Sequence, residues 1–191
     1  MATAKRDLLL DTAEQLFYAE GFHATGIDRI VQAAGVVRMT LYNHFPSKNA
    51  LVAAVLARRH DRCMATVDAA VGAAPDGRAT WSLVEAYGDW LHAVGQHGCI
   101  IMKALGEFAE HAPEIRDQAL VAKRDVRERL ADALARDGYP TDGGLVERLF
   151  LVLEGANAGV PLLGAEATLR QTRQTIETLL TSPSNPNEME A

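Results

Sequence analysis

The sequence has few cysteines, few aromatic residues and no long apolar run. Its 191 residues include two cysteines, Cys63 and Cys99, too few for a disulfide framework, so we expect reduced thiols. The longest apolar stretches are far shorter than the roughly 20 residues that span a bilayer, so we predict no membrane partner. The basic pair Lys5-Arg6 is not followed by the apolar core of a signal peptide. These features together predict a soluble protein with a cytoplasmic location.

Motifs that would indicate an enzyme are also missing. We find no glycine-rich phosphate loop, no paired metal-ligand spacing and no nucleophile motif. His97 and Cys99 lie close together but without an identifiable third member of a catalytic set. We therefore predict no catalytic residue, no metal and no cofactor, and we keep a small helical enzyme as the alternative from another class.

The charge of the chain is unevenly distributed. The net charge of −6 argues by itself against a nucleic-acid partner. However, residues 1–60 carry 7 Lys+Arg and 5 Asp+Glu, a net +2, whereas residues 61–191 carry 12 and 20, a net −8. This asymmetry predicts a small DNA-binding head on an acidic body.

The stretch from Thr25 to Lys48 has the pattern of two short helices joined by a turn. Gly35 interrupts the first helix, since glycine readily takes the left-handed backbone angles that end a helix. The second run, Arg38 to His44, is expected to place Leu41 inward and polar or aromatic residues outward. Apolar residues of the first helix recur at spacings of three and four: Ile27, Ile30, Val31 and Ala34.

This stretch resembles the DNA-binding domain of the tetracycline-repressor (TetR) family of bacterial transcription regulators. The resemblance covers about the first third of the chain, and the ordered series of short motifs makes it far more specific than a lone helix-turn-helix pattern. The residues that carry it are Phe17, Gly21, Phe22, Thr25, Ile30, Ala34-Gly35-Val36, Thr40-Leu41-Tyr42, His44-Phe45, Ser47-Lys48 and Leu51.

The predicted DNA contacts combine this resemblance with side-chain chemistry. Arg38 can bond guanine O6 and N7 together, and Val37 and Met39 can touch a thymine methyl group. The chain departs from the family in having Gly26 in place of a hydroxyl residue and Asp28 in place of a common basic one. We expect Thr25 to cap the second helix. The predicted DNA-binding set is Thr25, Arg29, Val37, Arg38, Met39, Thr40, Tyr42, Asn43, His44 and Lys48.

The rest of the chain reads as further helices, so we predict an all-α fold of about nine helices. We expect a helix-turn-helix head in residues 1–47, an effector-binding and dimerisation body in residues 48–181, and a disordered tail in residues 182–191. Ser47 and Thr80 are expected to cap the helices that follow them. The predicted helices cover residues 5–20, 27–34, 38–44, 48–71, 80–96, 99–110, 113–136, 145–158 and 166–180.

The resemblance implies what the body does. Its last two helices would pair with those of a second subunit, giving a homodimer that reads a palindromic operator in double-stranded DNA. A small-molecule effector would bind between the body helices and release the protein from DNA, with repression as the usual outcome. Glu154 and Asn157 lie one turn apart on an otherwise apolar helix and need polar partners, either a ligand or another side chain. The predicted ligand-binding residues are Trp81, Tyr87, Trp90, Met102, Phe108, Phe150, Glu154 and Asn157.

One alternative stays open for the signal that is sensed. A metal- or redox-responsive regulator would use side chains that bind metals or react with oxidants. The residues available for this are His92, His97, Cys99 and His111.

Overall fold

The computed structural model describes residues 2–142 and 144–181. This part of the chain forms nine α-helices and no strand, which confirms the all-α prediction. The helices are α1 (Ala2–Glu20), α2 (Ile27–Ala33), α3 (Arg38–His44), α4 (Lys48–Gly72), α5 (Ala79–Val94), α6 (Ile100–Glu107), α7 (Pro113–Arg136), α8 (Leu145–Leu163) and α9 (Ala165–Thr181). The predicted disordered tail, residues 182–191, lies outside the described residues.

Most helix ends lie within two residues of the predicted ones, and the exceptions are the start of α1, which is at Ala2 instead of residue 5, and the ends of α6 and α8. The predicted helix 145–158 is too short, although proline removes a helical hydrogen bond and disfavours helical angles in the residue before it. In the structure α8 includes Pro161 and continues to Leu163, where Gly164 with φ 81° ends it. The predicted helix 99–110 is shorter, since α6 ends at Glu107. None of the described helices is both long and apolar enough to cross a membrane.

The chain divides into two compact units. Among the described residues, unit 1 comprises residues 2–61 and 100–123, and unit 2 comprises residues 62–99, 124–142 and 144–181. The long helices α4 and α7 therefore contribute residues to both units, while α6 belongs to unit 1 together with α1 to α3. The boundary predicted between residues 47 and 48 separates a DNA-binding head from a body by their functions. The two compact units are defined by packing and do not test it, so it stays a prediction.

Unit 1 is organised by the apolar side of α1. Leu9, Phe17 and Phe22 are fully buried, and the rings of Phe17 and Phe22 lie 5.1 Å apart. A charged residue such as Glu14 is usually found on the outer face of a helix, but here it is not. Glu14 is buried, and its carboxylate accepts hydrogen bonds from Arg59 at 2.8 Å and Arg58 at 2.9 Å. A buried carboxylate requires such partners, and they come from α4.

Unit 2 has its own apolar core, built from α5, α8, α9 and the unit 2 parts of α4 and α7. Leu83, Leu130, Leu149 and Ile176 are almost completely removed from solvent. Helices α8 and α9 approach closely, since a Cβ atom added at Gly159 would lie 2.8 Å from Thr168 Cγ2. Any larger residue at this glycine would push the two helices apart.

Two predicted helix caps have different outcomes. Ser47 does cap α4, because its Oγ accepts a hydrogen bond from the Ala50 N–H at 3.0 Å. Thr80 does not cap α5. The carboxylate of Asp137, which is 57 residues further along the chain, accepts the N–H groups of Ala79 at 2.9 Å and Thr80 at 2.7 Å. A long-range carboxylate thus takes the place that a local hydroxyl was expected to fill.

Candidate nucleic-acid interface

The turn between α2 and α3 sets the direction of the second helix. Gly35 has φ 65°, a left-handed angle that favours glycine. The Val36 N–H donates to Val31 O at 3.0 Å and the Gly35 N–H to Gln32 O at 3.2 Å, so the final carbonyls of α2 are satisfied inside the turn. The sequence signal at Gly35 therefore predicted this turn correctly.

Helix α3 has one buried residue, and most of its other side chains face solvent. Leu41 is fully buried, as is Ile30 of α2, and Phe45 just after α3 is also buried. This anchoring leaves Val37 and Met39, at the start of α3, each 68% exposed. The exposed residues on or beside α3 are Val37, Arg38, Met39, Tyr42 and Asn43, while Thr40 and His44 are half-buried.

Arg38 and Asp28 form an ion pair between the first turn of α2 and the start of α3. Arg38 Nε donates to Asp28 Oδ1, and Arg38 Nη2 donates to Asp28 Oδ2. The pair faces solvent, with side chains 60% and 70% exposed. The hydrogen bonds from Arg38 lower the pKa of Asp28, and the same bonds raise the pKa of Arg38. The predicted base reader on α3 is thus ion-paired with a residue of α2.

Thr25 has a different place from the one we expected. Its side chain is fully buried, and its hydroxyl donates to Gly21 O at 2.7 Å. The residue at the N-terminal end of α2 is Gly26, and no side chain caps that end. The capping prediction is therefore wrong, because the hydroxyl closes the loop between α1 and α2 instead.

The cationic residues of the head lie around α3. Lys48 opens α4 and is half-buried, and burial lowers its pKa while the nearby Glu107 carboxylate opposes that effect. Arg29 is exposed and pairs with Glu20 at 3.1 Å. The Arg6 guanidinium lies 5.3 Å from the centre of the Phe45 ring.

Glu107 is a residue that sequence reasoning missed. Its carboxylate accepts hydrogen bonds from the N–H groups of Phe22 at 3.2 Å and His23 at 2.8 Å, which belong to the loop between α1 and α2. The ring of His23 also bonds the Glu107 carbonyl at 2.9 Å. No sequence signal pointed to this contact, since the partners are more than 80 residues apart.

The predicted ligand-binding residues are spread over both units. Phe108 lies in unit 1 and packs against Phe22 and His23, with ring centres 5.5 and 5.1 Å apart, and the exposed Met102 is also in unit 1. The other six residues lie in unit 2. Trp81 and Trp90 are partly buried and receive the guanidinium groups of Arg173 and Arg62, respectively, at 5.6 Å.

The polar residues of α8 show how Asn157 is satisfied. Asn157 Nδ2 donates to the Tyr87 hydroxyl at 2.9 Å and to Leu153 O at 3.2 Å. The side chains of Asn157 and Tyr87 are both buried. Burial raises the pKa of Tyr87 well above its usual value, and the charge of Glu154 adds to that rise. A side chain is therefore the partner of Asn157 in this structure, which was one of the two readings that the sequence left open.

A cavity of 460 Å³ lies in unit 2 between α5, α8 and α9. Of the predicted ligand-binding residues, Tyr87 is on its wall. Sequence reasoning missed the other lining residues, because they combine one side of three helices that are distant in the chain. They are Val84, Glu85, Gly88, Asp89, Leu91, Leu153, Ala156, Leu169, Arg170, Thr172, Arg173, Gln174 and Glu177.

The histidine and cysteine side chains of the metal alternative do not converge. Within residues 2–142 and 144–181, no three His, Cys, Asp or Glu side chains are grouped so that they could hold a metal ion. Neither cysteine forms a disulfide within the described residues, and Cys63 is buried whereas Cys99 is partly exposed. The structure therefore offers no arrangement that favours metal sensing.

Comparison with known proteins finds relatives of the head and of a longer part of the chain. The family model for bacterial regulatory proteins of the tetR family matches residues 9–55. The transcriptional activator FasR of Mycolicibacterium smegmatis is 32% identical over 134 residues, which are 70% of this chain and 60% of that protein. The transcriptional repressor ComR of Escherichia coli is 42% identical over 64 residues, 34% of this chain and 30% of that protein. The chain thus spans less than two thirds of these curated relatives.

Solved structures extend the likeness over the whole chain. The crystal structure of a TetR-family transcriptional regulator from Streptomyces coelicolor has a TM-score of 0.88 at 29% identity, covering 96% of this chain and 97% of that one. The Agrobacterium tumefaciens regulator has a TM-score of 0.81 at 18% identity, covering 93% and 98%, and supports the fold alone. The fold, the turn at Gly35 and the exposed face of α3 define an all-α helix-turn-helix regulatory protein. The chain belongs to the TetR family of bacterial regulatory proteins.

Proposed function

We propose that the protein is a cytoplasmic, homodimeric transcriptional repressor that binds a palindromic DNA operator and leaves it when a small-molecule effector binds the body. The observation that carries this proposal is the exposed face of α3, where apolar, aromatic and cationic side chains face solvent around a single buried anchor, Leu41. Folding does not require such a face, whereas a helix that enters the major groove does.

The side chains of the head fall into two roles under this proposal. Arg38 reads a guanine, and Val37 and Met39 contact thymine methyl groups. The other side chains contact the sugar-phosphate backbone and set the register without reading sequence. They are Thr40, Tyr42, Asn43, His44, Lys48 and Arg29. Thr25 supports the interface from inside, since its hydroxyl is bonded to Gly21 O.

The second subunit is expected to cover α8 and α9. Leu151, Leu162 and Leu163 of α8 are 67%, 80% and 66% exposed, so this helix presents an apolar surface to solvent in the single chain. Pairing α8 and α9 with the same helices of a second copy would bury these side chains in a four-helix arrangement. Two heads joined in this way would read half-sites about 34–36 Å apart.

The cavity of unit 2 is the proposed effector site. Its volume of 460 Å³ lies within the range of about 300–1,000 Å³ that is common for small-molecule sites. Apolar side chains such as Leu153 and Leu169 share its wall with charged ones such as Glu85 and Arg173. Among the residues predicted from sequence, we keep Tyr87 on the wall and assign Asn157 to hold its hydroxyl.

Release from DNA is proposed as a population shift. An effector that binds one conformation of the body better than another favours that conformation by its difference in affinity. Helix α4 runs from the head into unit 2, and Glu107 at the end of α6 holds the loop between α1 and α2. A displacement of either helix would alter the spacing of the two heads.

The decisive experiment is selection of binding sites from random duplex DNA, followed by gel filtration of the protein–DNA complex. We expect a palindromic site bound by two copies of the chain. A double variant, R38A with K48A, serves as the control and should enrich no site. If the wild-type protein enriches no sequence at low salt, in the presence or absence of compounds that raise its melting temperature, the proposal fails. Transcription in vitro from a promoter that carries the selected site then distinguishes repression from activation.

A further inference from the structure

The geometry of the Asp28–Arg38 pair determines which edge of the guanidinium group remains available. A guanidinium has five N–H donors, one on Nε and two on each Nη. Asp28 takes the Nε donor and one donor of Nη2. One donor of Nη1 and the second donor of Nη2 remain side by side on the Nη1–Nη2 edge of the planar group, and the other Nη1 donor points back toward Cδ. Among the described residues, Arg38 has no other hydrogen-bond partner.

The available edge is the one that a guanine can use. Two neighbouring donors in one plane match the O6 and N7 acceptors of guanine in the major groove. The carboxylate of Asp28 therefore does not compete for this edge. It accepts hydrogen bonds from the Nε–Nη2 edge of the guanidinium and so orients the Nη1–Nη2 edge.

We propose that Asp28 is a positioning residue that sets DNA specificity: it holds the Arg38 guanidinium so that its Nη1–Nη2 edge selects guanine at one position of each half-site. This inference rests on the proposed DNA-binding function. It also gives a role to Asp28, which stands where the family commonly has a basic residue.

A contribution to folding stability does not explain the Asp28–Arg38 pair well. Both side chains are more than half exposed, and exposed ion pairs contribute little to folding. The pair joins two helices that the Gly35 turn and the buried Leu41 already hold together. An arginine side chain has many rotamers. Holding it in one rotamer before binding reduces the conformational entropy that is lost when it binds a base.

The test compares binding-site selection and affinity for four proteins: wild type, D28N, R38A and the D28N/R38A double variant. We expect R38A to lose the guanine preference at one half-site position. D28N should reduce that preference by about tenfold, within the discrimination that a bidentate arginine contact provides. In the R38A background, D28N should leave the preference at that position unchanged, because there is no guanidinium to hold.

The matched control is E20Q, which removes one negative charge from the same head and releases Arg29 instead of Arg38. Both D28N and E20Q should bind all sequences somewhat more tightly, whereas D28N alone should change the base preference. If D28N keeps the wild-type preference, or if E20Q changes it equally, Asp28 is only a local charge and the proposal is overturned. If the wild-type protein selects no site, the proposed function itself has failed, which is a separate outcome.

Discussion

Arg38 and Lys48 differ in what they offer to DNA. Arg38 is exposed on α3, whereas Lys48 is half-buried at the start of α4. We expect R38A to weaken binding mainly at one base position, by about 1–3 kcal/mol. K48A should weaken binding to all sequences alike and reduce the dependence of affinity on salt by about one phosphate contact. Titrations of matched and single-mismatch duplexes at several salt concentrations measure both effects. Equal losses on every duplex for both variants would rule out base reading by Arg38.

Glu14 is the buried charge on which unit 1 depends. Its side chain and that of Arg59 are about one tenth exposed, and Arg58 supplies a second partner. We expect E14Q to lower the free energy of unfolding by about 3 kcal/mol, because the largely buried Arg59 guanidinium loses this carboxylate, whereas Arg58 keeps Asp11 at 2.9 Å. E20Q, which breaks an exposed pair, should cost about 0–1 kcal/mol. Urea unfolding at one protein concentration gives both values, and similar losses would contradict this account.

At the scale of helices, the N-terminal end of α5 depends on Asp137. Burial tends to raise the pKa of this carboxylate, but the hydrogen bonds from Thr80 and Ala79 outweigh it, so the pKa is lowered. Because the folded-state pKa lies below the unfolded value of about 3.9, the stabilisation is present above that pH and is lost as the pH falls through the folded pKa.

The variant D137A tests this cap. We expect it to lower stability at pH 7 by about 1 kcal/mol, since two helix N–H groups lose their acceptor. The difference between wild type and variant should shrink in acid, as protonation removes the carboxylate from the wild type. T80A is the control and should matter less, because the Thr80 hydroxyl caps nothing. Melting curves between pH 3 and 7 are the measurement, and a difference that does not change with pH would contradict the cap.

At the scale of the whole molecule, the exposed apolar residues of α8 predict the assembly. We expect L151R to prevent dimerisation, because a charge would be buried where Leu151 meets the second copy, and to weaken operator binding by more than tenfold. L120R changes a leucine of α7 that is also half-exposed, and this control should stay dimeric. Light scattering gives the mass of each variant. An L151R protein that remains a dimer would place the interface elsewhere.

Much of the fold could be predicted because its signals are local. The spacing of Ile27, Ile30 and Val31 marks one face of α2, and Gly35 marks the turn. The ends of α3 and α7 were predicted at the residues where the structure has them. Ser47 was correctly predicted to cap α4. In each case the residues that determine the feature lie within a few positions of one another, so periodicity and capping preferences suffice.

The sequence alone therefore determined the all-α class, the helix-turn-helix head and the outward residues of α3. Only the tertiary structure decided the partners of polar groups: Asp28 for Arg38, Asp137 for the end of α5, and Glu107 for the loop before α2. The same holds for the wall of the unit 2 cavity. The physical reason is that a polar group is satisfied by whatever lies near it in space. Helix periodicity records which side of a residue is buried, but not which distant residue it meets there.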